Sequence, residues 1–451
     1  MTTIHDLPVE LLCEIFQMVQ GRWLQPHPSA SFACYRGRLR ILVLLSLVCK
    51  SWRGVALGCG VLWSSIPVNT SQVGCLKLIS IMTKRSNGTP LELSVHVGTD
   101  PSAPGRVRRL VKVLTANNHR IGALHLDTNP RHVAGDDGLR LLEATDSTIT
   151  VINFILTAPF PTPQHSCGLL RNLRTLSLSL PPFTVVVNIS ALLKTIESST
   201  ELEILRFVSL HPVHKDCPST YAIHVPKLRR FCLRACDSAM ILSHITTPKT
   251  STINVVMNSS KARGCPSGSH ILVALPRSLT NMRALESADR LVMIENEMRG
   301  EFRLGLSSLR SETALLVVTN GRRSLERFIL RSLRAIAVDP YFGAIQSLAF
   351  SCNSCAPVPW STVLIRFVSL LELNISSRHG MDVMYALLST MLDGSPLCPS
   401  LRRIRFYTGP GHTDHDFDPL IFSAFRKFRL EHRCSVVKIT ARRANGRVEE
   451  L

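Results

Sequence analysis

The chain has 451 residues, of which 45% are hydrophobic and 19% charged, a balance that supports a sizeable core and excludes a disordered, low-complexity protein. Lys and Arg outnumber Asp and Glu 52 to 32, for a net charge of +20. The excess is diffuse: Arg106/Arg108/Arg109, Arg322/Arg323 and Arg426/Lys427/Arg429 are short clusters, and no dense or aromatic-interleaved basic run points to nucleic acid.

At this length several domains or one elongated repeat architecture is expected. His5 and Asp6 stand where a signal peptide would need a basic stretch, and the longest apolar run, Ile41 to Cys49, falls well short of the ~20 residues that cross a bilayer. Fourteen cysteines then read as reduced thiols, and an intracellular protein, cytoplasmic or nuclear, is expected.

In chain order, Asp6-Leu7-Pro8-Val9-Glu10 is a helix start: Asp6 can cap, Pro8 suits the first turn, and Glu10 and Glu14 favour the positive end. Leu11, Leu12, Ile15, Phe16 and Val19 give that helix one broad apolar face, and Gly21 closes it. A second helix is expected from Arg38 to Trp52, with Ile41, Leu44, Leu45, Val48 and Trp52 on one side and Gly54 near its end. A short third helix leads to Leu62-Trp63-Ser64-Ser65-Ile66, where extended sequence begins.

Three blocks, Leu7-Pro8-x-Glu10-Leu11-Leu12-x-x-Ile15-Phe16, Leu47-Val48-Cys49-Lys50-Ser51-Trp52-Arg53-x-x-Ala56 and Leu62-Trp63-x-x-Ile66, together resemble the F-box pattern in order and spacing. The Leu-Trp-Ser-Ser-Ile ending is similar to that of F-box families expanded in mushroom-forming fungi. Residues 22–37 form an insertion between the first two helices. The resemblance implies a three-helix module, residues 1–67, that binds a Skp-family adaptor and through it a cullin scaffold. Carried over by position, it implies adaptor contacts at Leu7, Pro8, Ile15, Phe16, Leu47, Val48 and Trp52. So many large apolar side chains in about sixty residues cannot all be buried internally. The same residues could instead pack against the rest of the chain.

Beyond Pro67 the form L-x-x-L-x-L recurs, starting at Ile121, Ile149, Leu173, Leu202, Leu228, Ile345, Leu370 and Leu401. The first five starts are 24 to 29 residues apart, close to the leucine-rich-repeat period of about 20–29. Asn129, Cys236 and Asn353 stand at the polar ladder position of that repeat. Helices are expected at 189–196 and 385–392 between strands. From Met257 to Ile345 the register fades, leaving strand-like runs at 290–294, 302–306 and 314–319 and an amphipathic helix at 324–336 that carries Arg327, Arg331 and Arg334 on its polar face.

No nucleotide-binding glycine loop occurs, and Gly264-Cys265-Pro266-Ser267-Gly268 has the wrong spacing for a nucleophile elbow. Cys352-x-x-Cys355 lacks a second pair, His211-x-x-His214 with Cys217 is broken by Pro212, and His412, Asp414, His415, Asp416 and Asp418 read as a solvated loop. No cofactor, no metal and no intrinsic catalysis are expected. The fold class expected is α/β, a three-helix F-box followed by an irregular leucine-rich-repeat-like solenoid over 68–440 and a tail at 441–451. The function expected is the substrate-recognition subunit of a Skp–cullin–F-box ubiquitin ligase, with a protein target held on the array. The alternative is a non-catalytic interaction or nucleic-acid-associated scaffold outside the ligase.

Overall fold

The computed structural model describes residues 7–20, 32–97, 109–110, 112–113, 116–128, 151–155, 173–179, 186–213, 222–235, 238–258, 272, 275–276, 282–285, 288–296, 301–308, 313–320, 325–352, 358–376, 380–391, 393–407, 418–442 and 448–450. They belong to two compact units, Met1–Leu228 and Arg229–Leu451.

The first unit opens with α1 (Val9–Val19), α2 (Phe32–Val48) and α3 (Lys50–Gly58). Glu10 lies in the first turn of α1, whose apolar stripe buries Leu12 and Phe16; the expected Asp6 cap lies outside the described residues. The single helix expected over 38–52 is two. Cys49 is extended (φ −156°, ψ 174°), and its sulfur accepts the Trp52 amide, so a thiol caps α3 where the hydrophobic pattern runs on without a break. Gly54, expected to end the second helix, sits inside α3. Residues 32–37, read as part of an insertion, are the first turns of α2, whereas 22–31 lie outside the described residues.

A 3₁₀ turn, Gly60–Trp63, leads straight into β1 (Ser65–Asn69). A Cβ at Gly60 would lie 2.6 Å from the carbonyl oxygen of Ser86, so this approach requires glycine. The buried Trp63 donates its indole N–H to Ala56 O (2.6 Å) and carries the Arg85 guanidinium 4.4 Å from its ring centre.

β1, β2 (Leu91–Val97), β3 (Ile121–Thr128), β4 (Val151–Ile155), β5 (Thr175–Ser179) and β7 (Ile204–Val213) pair in that order, all parallel, and β6 (Val186–Asn188) pairs with the far end of β7. The recurring apolar positions stack in register: Ile66, Leu93, Leu124, Ile152, Leu176 and Leu205 make one row, and Val68, Val95, Leu126, Phe154, Leu178 and Phe207 the next. Burying one such side chain stabilises by about 1.5–3 kcal/mol, so a register slip of one residue, which would turn a whole row to solvent, is strongly disfavoured. Parallel strands need crossovers. Helix α4 (Cys75–Arg85) supplies one between β1 and β2, burying Cys75, Ile79 and Met82. The helix Ile189–Ser198 buries Leu192, Leu193 and Ile196 ahead of β7, and β8 (Ile223–His224) follows.

In the second unit the strands are β9 (Arg230–Ala235), β10 (Ile245–Thr246), β11 (Thr252–Asn258), β12 (Arg290–Asn296), β13 (Glu301–Ser307), β14 (Thr313–Asn320), β15 (Ser347–Ser351), β16 (Glu372–Ser376), β17 (Arg403–Tyr407), β18 (Lys438–Arg442) and β19 (Val448–Glu450). Leaving aside the two-residue β10, they pair in the order β9-β11-β14-β13-β12-β15-β16-β17-β18-β19, with β13 and β19 antiparallel to their neighbours. The expected strands at 290–320 are therefore present. The register fades there because β12 forms three places beyond β11, and β13 and β14 turn back to fill the gap. From β12 onward the rows resume: Leu291, Leu348, Leu373, Ile404 and Ile439, then Met293, Phe350, Ile375, Phe406 and Ala441.

The helix Leu325–Val338 buries Ile329, Leu333 and Ile336 and leaves Arg331 and Arg334 exposed. The helix expected at 385–392 spans Gly380–Leu387, with Gly380 packed so closely on Phe406 that a Cβ would sit 3.2 Å from the ring. In the helix Pro419–Glu431, Asp418 caps the Leu420 amide. Its buried Arg429 donates to the carbonyls of Cys398 (2.9 Å), Pro399 (2.9 Å) and Leu401 (3.0 Å), tying the helix to the approach into β17. Burial pushes the Arg429 pKa down, and it pushes the Cys398 thiol beside it up to about 12, with the Arg429 charge opposing the latter shift.

Candidate functional site

The three N-terminal helices bury one set of apolar side chains and present another to solvent. Phe16 is fully buried and meets Trp52 with ring centres 5.0 Å apart and planes tilted by 56°. The Trp52 indole N–H is buried with no hydrogen-bond partner among the described residues. Leu12, Leu42, Val55 and Ala56 are buried around them. Cys13 on α1 lies beside Cys59 at the end of α3; burial, then the neighbouring thiol, pushes Cys13 up to about 12 and keeps it protonated at neutral pH.

Facing outward are Leu44, Leu47 and Val48, at 56%, 62% and 60% exposure, joined by Val43 on α2 and by Val9, Leu11, Met18 and Val19 on α1. Soluble proteins scatter exposed apolar residues singly, whereas a cluster on adjacent helices marks a contact surface. Helix α2 is held from its other side. Its Arg38 lies 3.6 Å from Glu92 Oε2 on β2, and the same carboxylate accepts from Ser65 Oγ at 2.6 Å and stands 3.3 Å from His125 Nε2. Sheet residues thus fix the helix whose apolar edge is left open.

The seven positions proposed for adaptor contact divide by exposure. Leu47, Val48 and Pro8 are exposed, Leu7, Ile15 and Trp52 are half-buried, and Phe16 is enclosed within the module. Phe16 and Trp52 therefore build the module, while the open surface adds Val9, Leu11, Met18, Val19, Val43 and Leu44 to the two exposed α2 positions. The signal for Val43 and Leu44 is that Ile41 to Val48 is apolar at every position but Ser46, so that stretch of the helix has no polar face to turn outward.

Residues 4–67 match the F-box-like family. The N-terminal module is thus an F-box-like domain, and F-box domains generally bind Skp-family adaptors and belong to proteins that are typically non-catalytic receptors. No curated protein matches the chain.

Among the described residues no group of three or more His, Cys, Asp or Glu could hold a metal ion. The loop bearing His412, Asp414, His415 and Asp416, the segment 264–268, Cys217, His214, Cys355, and the ladder positions Asn129, Cys236 and Asn353 lie outside the described residues. Cys352 is buried, with its sulfur 3.0 Å from Glu295 Oε2. Among the described residues no helix is long and apolar enough to cross a membrane.

Proposed function

We propose that this chain is the substrate-recognition subunit of a Skp–cullin–F-box ubiquitin ligase. The adaptor docks on the open apolar edge of α1 and α2, through Leu44, Leu47 and Val48 with Leu7, Pro8 and Ile15 at its margin. Phe16 and Trp52 act from beneath by holding the helices together. The parallel strands and crossover helices of residues 68–440 act as an irregular leucine-rich-repeat-like solenoid that holds a protein target, and the Leu-Trp-Ser-Ser-Ile ending is similar to F-box domains expanded in basidiomycete fungi. The protein contributes no reactive group. It raises the effective concentration of target lysines at a ubiquitin-conjugating enzyme held elsewhere on the complex, converting a bimolecular encounter into an intramolecular one.

One observation carries this reading: the domain that matches the F-box-like family leaves Leu44, Leu47 and Val48 more than half exposed on one helix edge. Co-expression with a recombinant Skp-family adaptor tests it. The intact chain should retain the adaptor through size-exclusion chromatography, and Leu47→Asp with Val48→Asp should release it while elution stays monodisperse. An intact chain that never retains the adaptor would sink the proposal in favour of a scaffold outside the ligase.

A further inference from the structure

Parallel pairing of β17 with β18 places Arg403 against Lys438, Arg405 against Thr440 and Tyr407 against Arg442. The alternate residues Ile404, Phe406, Ile439 and Ala441 are buried in the core. Arg403, Arg405, Lys438 and Arg442 therefore rise from the opposite face, with neighbouring strands about 4.8 Å apart and alternate residues about 6.8 Å apart along each strand. Two carboxylates share this face. Glu372 on β16 lies 3.1 Å from Arg405 and 3.6 Å from Arg403, and Glu450 on β19 lies 3.4 Å from Lys438. Beside Arg405, in register on β16, is Asn374; it is 8% exposed, and its buried side-chain oxygen has no hydrogen-bond partner among the described residues.

We infer that this face is a docking surface for an acidic, extended peptide segment of a protein partner. The chemistry is one of carboxylate recognition. Glu372 Oε1 stands within 4 Å of both arginines, so a carboxylate approaches the pair closely. An extended peptide repeats its side chains on one face every second residue, the same repeat that separates Lys438 from Arg442 by two such steps along β18. The buried oxygen of Asn374, beside Arg405 on the same face, has no donor among the described residues, and a peptide backbone N–H supplies one where a carboxylate does not. A nucleic-acid backbone fits less well, because Glu372 and Glu450 flank the cations and would repel a continuous line of phosphates.

The inference rests on the reading of this region as the target-holding half and gives that target a chemical class. The test is fluorescence polarisation with the full chain and a fluorescein-labelled peptide of alternating glutamate and serine. Binding should weaken steeply with salt, and replacing the peptide's glutamates by glutamine should abolish it. Arg405→Glu with Arg442→Glu should lower affinity by about tenfold or more. Lys77→Glu on α4, an equal change of sign per site elsewhere, should leave it unchanged, and Arg405→Lys with Arg442→Lys should retain most of it. Equal binding by the Arg405→Glu/Arg442→Glu chain overturns the inference, as does tighter binding of a single-stranded oligonucleotide of matched charge. Adaptor retention is measured on the same samples. A chain that holds the adaptor but not the peptide overturns this inference alone, and one that holds the peptide but not the adaptor supports it while overturning the ligase assignment.

Discussion

Truncating Leu47 and Val48 to alanine separates binding from folding. Burial of one methylene is worth about 0.8 kcal/mol. Leu47→Ala removes three carbons and Val48→Ala two, and these side chains are 62% and 60% exposed. Covering that exposed share on docking therefore contributes about 2.4 kcal/mol across the pair, or about 60-fold in Kd. Because alanine favours the helix and neither side chain is in the core, unfolding free energy should change by no more than about 0.5 kcal/mol. Isothermal titration of the full chain with a Skp-family adaptor, paired with thermal unfolding, reads both quantities. Phe16→Ala is the opposite case: it empties a fully buried site and should cost about 3–5 kcal/mol of stability. The reasoning is refuted if the Leu47/Val48 pair leaves the adaptor affinity unchanged, or if it lowers the melting temperature as much as Phe16→Ala does.

Gly60→Ala sets a Cβ against the Ser86 carbonyl and should destabilise the first unit by about 1–3 kcal/mol, measured by chemical denaturation; a change under about 0.5 kcal/mol would remove the close approach as its reason. Arg429→Met strips the donors from three carbonyls and should cost about 3 kcal/mol, read as a lower urea midpoint. Cys398, held protonated up to about 12, should resist alkylation at neutral pH until the second unit unfolds. Its raised pKa also fixes a sign. The folded state holds a proton that the unfolded chain gives up above the ordinary cysteine range, so this group's contribution is intact below about 9 and is lost as pH climbs towards 12. Cys398→Ala should flatten that alkaline decline.

The apolar rows were legible because L-x-x-L-x-L combines a period of two with a fixed repeat spacing, and Leu124, Leu176, Leu205, Leu348, Leu373 and Ile404, at the same place in their motifs, are buried on their strands. The break at Cys49 was not, because Leu47 to Trp52 has no proline or glycine and a thiol is an unusual cap. The strands at 290–320 could be read as strands but not placed, since pairing β12 with β15 across an inserted hairpin depends on partners distant in sequence. The apolar edge of α2 was visible in composition; which residues faced outward awaited the contacts of α1 and β1 behind it. The basic face escaped notice for a similar reason. Arg403 and Lys438 belong to different stretches of chain, and only parallel pairing sets them side by side.

β1 begins inside the F-box-like match and ends beyond it, with Ile66 and Val68 paired to Leu93 and Val95. Helices and sheet are thus welded through a shared strand. A fragment ended at Pro67 would cut that strand midway and strip Ile66 of its neighbour Leu93. Any transplant of these helices onto a different receptor has its natural seam after Val97, so that the graft carries its own first two strands and the Trp63 clamp with it.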